Sequence, residues 1–416
     1  MAKPGKLVIA LNMNKLNKNS FIAIICALEK EKETEDIPLY FLDSDQVECN
    51  SELSKLAEKY EKVIFMWSFA SFSSDKILES VKSMKKEVPE NIILVAGGPH
   101  PSGDPVATLR AGFDHVIIGE GEKTVCDLVK CIMDDGDVSK VKGIGFLKER
   151  KFIYTGKQVP VDLSDYSSFS KKHRMIGPLE ITRGCPWGCR YCQTSYLFGK
   201  VPRHRNIAEV KKYAEKIKSN GMKDIRFVTP NAFSYGSPDG KAVNLKAIEG
   251  LLKTVKNVLG EDSRIFFGSF PSEVRPEQVT KEALVLLRKY CNNSNLIIGA
   301  QSGSQKILDH IRRGHTVEDI RNAAKLAIEN GFNVNVDLIF GLPGENGKDT
   351  DKTFRLMDGL IAMGATIHGH AFMPLSGTPF SKEKPAELAS RDRKKLKEFE
   401  AGKKLYGSWE SQHPKA

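Results

Sequence analysis

Cys185, Cys189 and Cys192 stand in the spacing C-x3-C-x2-C within LEITRGCPWGCRYCQTSYLFGKVPR, residues 179–203. Gly184, Pro186 and Gly188 bend the backbone between and before them, so that three thiols close in sequence can converge. Structural zinc takes four protein ligands, and no fourth Cys or His follows at finger spacing. Three thiolates suit a four-iron cluster in which one iron has no protein ligand and is open to a substrate. The pattern therefore reads as catalytic rather than structural. Buried thiols that cluster by chance are the competing reading. That reading leaves the interleaved Gly and Pro, and the apolar strand carrying Leu179 and Ile181, without a purpose. The other cysteines, Cys26, Cys49, Cys126, Cys131 and Cys291, are scattered; Cys26, Cys126 and Cys131 fall in helical apolar patterns and read as core.

The elements that must hold this loop are strands alternating with amphipathic helices. From residue 6 to 132 the apolar runs KLVIALN, IPLYFLD, KVIFMWS, NIILVAGG and HVIIGE alternate with stretches of near-3.6 periodicity, such as 20–31, 52–60 and 74–88. This rhythm predicts a parallel, doubly wound α/β sheet of Rossmann type, whose ligand crevice lies past the carboxyl ends of the strands. Two glycine turns fall at such ends: Gly97-Gly98-Pro99-His100 and Gly119-Glu120-Gly121-Glu122. Glycine there lets a ligand approach the backbone. His100 is a cofactor-tail contact or a turn residue, and Asp104 and Glu120 also read as helix caps. Residues 134–178 are a linker with a hairpin (141–148 and 151–157). From 179 to 380 the strand–helix unit recurs six times, as in a partial TIM-like barrel, and the cysteine loop leaves the end of its first strand. Barrel chemistry gathers at that C-terminal mouth. Residues 381–416 read as a basic helical extension.

At 416 residues, 40% hydrophobic and 28% charged, the chain can build two cores. A charge of +11 favours anionic ligands, but Lys and Arg lie among Asp and Glu and read as solvated helix faces, which does not call for nucleic acid. No apolar run is long enough to span a bilayer and the N-terminus has no signal-peptide core, so the expectation is a cytoplasmic protein with no membrane partner. Scattered free cysteines fit a reducing compartment.

The cysteine stretch resembles the signature of the radical S-adenosylmethionine (SAM) superfamily. The resemblance implies that Cys185, Cys189 and Cys192 hold a [4Fe-4S] cluster. Its fourth iron chelates SAM, and an electron from a donor such as ferredoxin or flavodoxin cleaves SAM to a 5'-deoxyadenosyl radical. Tyr191 matches the family's aromatic near the adenine. Further blocks agree in order: GAQSGSQKILDHIRRGHT, in which the resemblance places Gln301 and Ser302 toward SAM and pairs Arg313 with its carboxylate; Gly341-Leu342-Pro343-Gly344-Glu345, packing on the adenine; and the turn at 373–379. Glu273 and Arg275 stand where related enzymes place ribose and carboxylate partners, or else are a surface ion pair. Where the family often has Gly-Gly-Glu, this chain has Thr229-Pro230-Asn231. His368 and His370 share one strand face, toward the cavity or in the core.

The N-terminal domain, 1–133, resembles the cobalamin-binding domain that precedes the radical SAM core in one large subclass, on its GGPHPSGDP and GEGE turns. The cobalt-ligating D-x-H-x-x-G motif is replaced by Asn12-Met13-Asn14-Lys15. The resemblance then implies cobalamin bound without a protein imidazole, against a Rossmann-like fold kept for architecture. The function implied is methylation of an unactivated carbon. Alternatives are cobalamin-dependent radical cyclisation or rearrangement, and a non-catalytic iron–sulfur electron carrier. Methylthiotransferases carry a second three-cysteine cluster in the N-terminal domain, and Cys26, Cys49, Cys126 and Cys131 lack that clustering. The substrate is not legible.

Overall fold

The computed structural model describes residues 5–43 and 49–410, which divide into two compact units. Unit one comprises the chain up to Gly177, with Leu375–Gly377. It runs β1 (Gly5–Asn12), α1 (Lys18–Lys30), β2 (Leu39–Leu42), α2 (Cys49–Lys59), β3 (Tyr60–Ser68), α3 (Ser74–Met84), β4 (Ile92–Gly97), α4 (Pro99–Gly103), α5 (Pro105–Arg110), β5 (His115–Ile117), α6 (Gly121–Met133), β6 (Ile144–Lys148), β7 (Lys151–Tyr154), β8 (Phe169–Ser170) and β9 (Met175–Ile176). The sheet order is β2-β1-β3-β4-β5-β6-β7, parallel through β5.

Alternation along β1 shows why the strands are apolar throughout. Leu7, Ile9 and Leu11 pack with Phe21, Ile25 and Leu128 on one face. Val8 and Ala10 pack with Leu53, Leu56, Val81 and Met84 on the other. Helices cover both faces, so both sets of side chains must be apolar. The hairpin read as part of a linker is instead bonded into this sheet, β6 antiparallel to β5 and β7 antiparallel to β6. Its Ile144 is buried with the α1–α6 layer, which is why it joins the core instead of spanning domains.

Unit two holds Pro178–Pro374 and the residues from Thr378 on. Its elements are β10 (Leu179–Glu180), β11 (Thr182–Arg183), α7 (Thr194–Phe198), β12 (Arg203–His204), α8 (Ile207–Ser219), β13 (Asp224–Val228), α9 (Leu245–Leu259), β14 (Arg264–Phe266), α10 (Lys281–Tyr290), β15 (Asn295–Gln301), α11 (Gln305–His310), α12 (Val317–Glu329), β16 (Asn333–Phe340), α13 (Gly347–Ala362), β17 (Thr366–Ala371), α14 (Ser390–Ala401) and β18 (Leu405–Ser408). Two parallel sheets, β10-β13-β14 and β15-β16-β17-β18, meet through a parallel bridge between Val274 and Ile298. The six expected parallel strands are present. The C-terminal extension is not helix alone: after α14 it adds β18 beside β17, with Leu405 and Trp409 buried. No described helix is long and apolar enough to cross a membrane.

Candidate active site

The loop between β11 and α7 carries the three cysteines, and its path is fixed by backbone geometry. Gly184 and Gly188 have φ of +91° and +64°, and a Cβ on Gly184 would lie 2.6 Å from the Val201 carbonyl oxygen. Ser195 Oγ donates to the Cys185 carbonyl (2.7 Å) and accepts from Gly188 N (3.2 Å). Arg190 N donates to the Ile311 carbonyl, tying the loop to the turn after α11. Cys189 is buried; Cys185 and Cys192 are half-buried. Burial pushes the Cys185 and Cys192 thiols up. The Trp187 backbone, Arg275 and Arg313 oppose this at Cys185, and Thr194 opposes it at Cys192.

The neighbouring Cys189 and Cys185 sulfurs add to the upward push on Cys192. Among the described residues the group with three donor atoms within 4.8 Å of one another is a different one, Asp337, His368 and His370. Three thiols carried on one fixed loop fit separate corners of an iron–sulfur cube.

Two buried arginines back the loop. Arg275, only 2% exposed, lies over the Trp187 ring with its guanidinium carbon 3.7 Å from the centroid. It bonds to Glu277 and to the Arg313 carbonyl. Arg313 donates to the Gly299 carbonyl (2.6 Å), to Glu273 Oε1 (3.2 Å) and to Cys189 Sγ (3.8 Å). Glu273 and Arg275 are therefore not a surface pair: each takes a different partner, with Arg275 buried and Glu273 half-buried. Burial raises the Glu273 carboxyl, as does Asp337, against the opposing charge of Arg313. His315, buried with Nε2 3.1 Å from the Ala300 carbonyl, is pushed down to about 2 by burial and then by Arg313 and Arg275, so it stays neutral. Burial holds the Tyr191 phenol well above its usual range.

The strand ends supply the rest. Gln301 closes β15 at φ +77°, a left-handed conformation unusual for a residue with a side chain, at a register shift against β16. Ser302 is buried and its Oγ accepts from Ser304 N. Gly341 N donates to Glu345 Oε2 (2.9 Å), the Gly341 carbonyl accepts from Ala386 N (2.9 Å), and Leu342 is fully buried. A cavity of about 290 Å³ opens beside Gly341, lined by Phe340, Phe372, Met373, Ala386, Arg393 and Trp409 among others. Asn231, in the stretch that departs from Gly-Gly-Glu, is buried and bonds Gln278.

Across the four-stranded sheet, direct partners in register form one row: Gly299, Asp337, His368 and Tyr406. A Cβ on Gly299 would stand 2.5 Å from Arg313 Nη2 and 2.6 Å from Glu273 Oε2. The row therefore begins under the Arg313–Glu273 pair and so under Cys189. His368 Nδ1 is 2.9 Å from Asp337 Oδ1, and the His368 ring stacks on Tyr406 at 4.5 Å. Sequence reasoning missed Trp187, Glu277, Asp337 and Tyr406. The only local signal for Asp337 was its place in the alternating run NVNVDLIF.

In unit one the glycine turns lie at strand ends. Gly98 (φ +95°) follows β4, and Gly119 (φ +94°) follows β5, where a Cβ would meet nothing within 4 Å. Gly97, the last residue of β4, has room as well. His100 is buried on α4, stacked on Phe69, with Nδ1 3.2 Å from Ser71 Oγ and no partner for Nε2. Asp104 caps α5 through Ala107 N. Glu120 does not cap α6 with its side chain; its carboxylate accepts from Val161 N. After β1, Asn17 Nδ2 donates to the Asn12 and Ser68 carbonyls, so amides occupy the loop where a cobalt-ligating imidazole would stand. The open space at Gly119 and the orphan nitrogen of His100 fit a polar ligand over this edge. The residues suit a corrinoid that takes no side-chain ligand from the β1–α1 loop.

The Radical SAM superfamily profile matches residues 179–357, and the B12 binding domain profile matches residues 30–129. An uncharacterized methyltransferase of Pyrococcus horikoshii is 24% identical over 73% of this chain and 66% of its own length. A tRNA-2-methylthio-N(6)-dimethylallyladenosine synthase of Finegoldia magna is 26% identical over 66% of this chain and 56% of its own. The chain thus spans less than two thirds of the length of these relatives. Among solved structures, the radical SAM methyltransferase TsrM of Kitasatospora setae, with cobalamin and a [4Fe-4S] cluster bound, superimposes with a TM-score of 0.71. Identity is 17%, over 91% of this chain and 77% of that one. The cobalamin-dependent radical enzyme OxsB superimposes at 0.65, with 15% identity over 95% of this chain and 55% of that one. The cofactors that go with the two domains are a [4Fe-4S] cluster and SAM for the second, cobalamin for the first. Residues 179–357 are thus a radical SAM domain, and they follow a B12-binding domain at residues 30–129.

Proposed function

We propose that the chain is a cobalamin-dependent radical SAM methyltransferase that methylates an unactivated carbon of its substrate. The observation that carries the reading is the pairing in one chain of the three-cysteine loop, backed by Arg313 and Glu273, with a B12-binding domain. When bound, the cluster and SAM supply a hydrogen-abstracting radical and the corrinoid a transferable methyl group. The residues' part is to hold and orient. Cys185, Cys189 and Cys192 would ligate three irons, and Arg313 and Arg275 place positive charge beside the thiolates. Gln301, Ser302, Gly341 and Leu342 would line the SAM pocket, with Tyr191 against the adenine. Gly97, Gly98, His100, Gly119 and Glu120 would border the corrinoid. A one-electron donor such as ferredoxin or flavodoxin completes the cycle.

Relatives named as methylthio synthases favour a second reading. Against it, Cys26 and Cys126 lie in one core layer of unit one and Cys49 in the other, which is no second cluster site. The test is anaerobic purification with iron, sulfide and cobalamin, followed by incubation with methyl-labelled SAM and dithionite. The expected outcome is a co-purifying corrinoid band, together with 5'-deoxyadenosine and S-adenosylhomocysteine. Cys189→Ala should lose iron and the 5'-deoxyadenosine while keeping the corrinoid. A fully loaded cluster that gives no SAM-derived product would reduce the protein to an electron carrier. Products with no label from the methyl group would point to ring closure.

A further inference from the structure

The row under Arg313 contains a second donor set that the three thiols do not use. Asp337 on β16 faces His368 on β17 in register, and His370 lies two residues further along β17 on the same face. One donor atom from each of the three lies within 4.8 Å of the others, and the two imidazole centroids are 4.1 Å apart. The Asp337 side chain is 14% exposed and that of His368 28%. Asp337 has no Lys or Arg partner among the described residues; its hydrogen bond goes to His368, a cation only when protonated. Glu273, the neighbouring carboxylate, already holds Arg313. An enclosed carboxylate is ordinarily paired or bound to a metal, and this one lacks a fixed counter-charge.

Two imidazoles and one carboxylate are a donor set for borderline divalent ions, whereas a hard cation would call for more oxygens. Paired β16 and β17 hold the three Cα atoms on one rigid face, so closing on an ion needs side-chain rotation and no backbone change. We infer that Asp337, His368 and His370 form a divalent-metal site of the zinc type, distinct from the iron–sulfur ligands. Its remaining coordination positions are open to water or to an oxygen or nitrogen donor of the substrate. The site does not depend on the methyl-transfer reading.

The test uses the full chain, cluster-loaded and anaerobic. It is equilibrated with Zn²⁺, desalted, and assayed for zinc and iron separately. The expected result is about one zinc per chain. Zinc affinity should fall at least about tenfold in His370→Ala and Asp337→Asn, with iron unchanged. Unchanged iron and an unchanged circular-dichroism spectrum report that the variants fold. Should His370→Ala misfold, the wild-type protein still decides, through anomalous scattering at the zinc edge with a peak among the three side chains. Zinc that is taken up only as iron is lost belongs to the thiols and overturns the assignment. So does zinc retained equally by folded variants, or no zinc bound at all. In the last case Asp337 and His368 are a hydrogen-bonded pair and no more.

Discussion

Both units are built on largely parallel sheets with glycine turns at the carboxyl ends of their strands, but they furnish those ends differently. In unit two the edge is crowded with charge and sulfur: Cys189, Arg275, Arg313 and Glu273 touch in a chain of bonds, with Trp187 stacked behind. In unit one the corresponding edge carries mainly neutral polar groups such as Asn17 and Ser71, with open space at Gly119 and an unpartnered ring nitrogen on His100. The difference separates two ways of using one architecture. A reacting centre needs oriented charges whose geometry survives burial, whereas a large preassembled ligand needs backbone it can approach and space to fill.

Substitutions should divide along that line. Arg275→Leu empties a buried guanidinium site, removing the partner of half-buried Glu277 and the cap over Trp187. A loss of about 3–5 kcal/mol is expected in denaturant unfolding. Corrinoid uptake by whatever folds should be unaffected. Gly299→Ala sets a methyl group against Arg313 and Glu273. The overpacking should cost about 1–3 kcal/mol and lower SAM cleavage far more than stability. An unperturbed SAM cleavage rate in this variant would mean that the Arg313–Glu273 pair plays no part in the chemistry.

Glu345 offers a milder probe through pH. Burial lifts its carboxyl to about 7, against the backbone N–H groups of Gly341 and Leu342. The folded state then binds the proton more tightly than the unfolded one. The stability it adds is complete below about 4.5 and is lost as pH rises through about 7. Glu345→Gln should flatten that decline in thermal melts between those values, since the amide oxygen can still accept from Gly341 N. The smallest effect is expected at the open Gly119 turn of unit one. Gly119→Ala meets no atom, but its φ of +94° costs an alanine about 1–2 kcal/mol. Corrinoid occupancy should drop while cleavage of SAM at the cluster persists. If instead SAM cleavage fell and corrinoid occupancy held, the division of labour would be wrong.

Much of this was legible in the chain. The spacing of Cys185, Cys189 and Cys192 lies within one loop, and Gly184 and Gly188 announce the left-handed turns that shape it. The strand–helix alternation is likewise local, since periodicity is set by neighbours in sequence. The misreadings came where partners are distant. Ile144 looked like linker because nothing nearby shows that β6 will bond to β5. Leu405 and Trp409 looked like the end of a helix because β17, the strand they join, lies more than thirty residues earlier. Glu273 and Arg275, close in sequence, found separate partners in Arg313 and Glu277.

Residue types and short spacings alone determined the presence of a three-cysteine loop, two α/β units, and the absence of Asp and His after β1. The tertiary structure decided the register of β15, β16, β17 and β18, and with it the alignment of Gly299, Asp337, His368 and Tyr406 under Arg313. Parallel strands are joined by long crossovers, so no turn geometry in the sequence fixes which residues will face each other. Only packing the helices against the sheet sets that register.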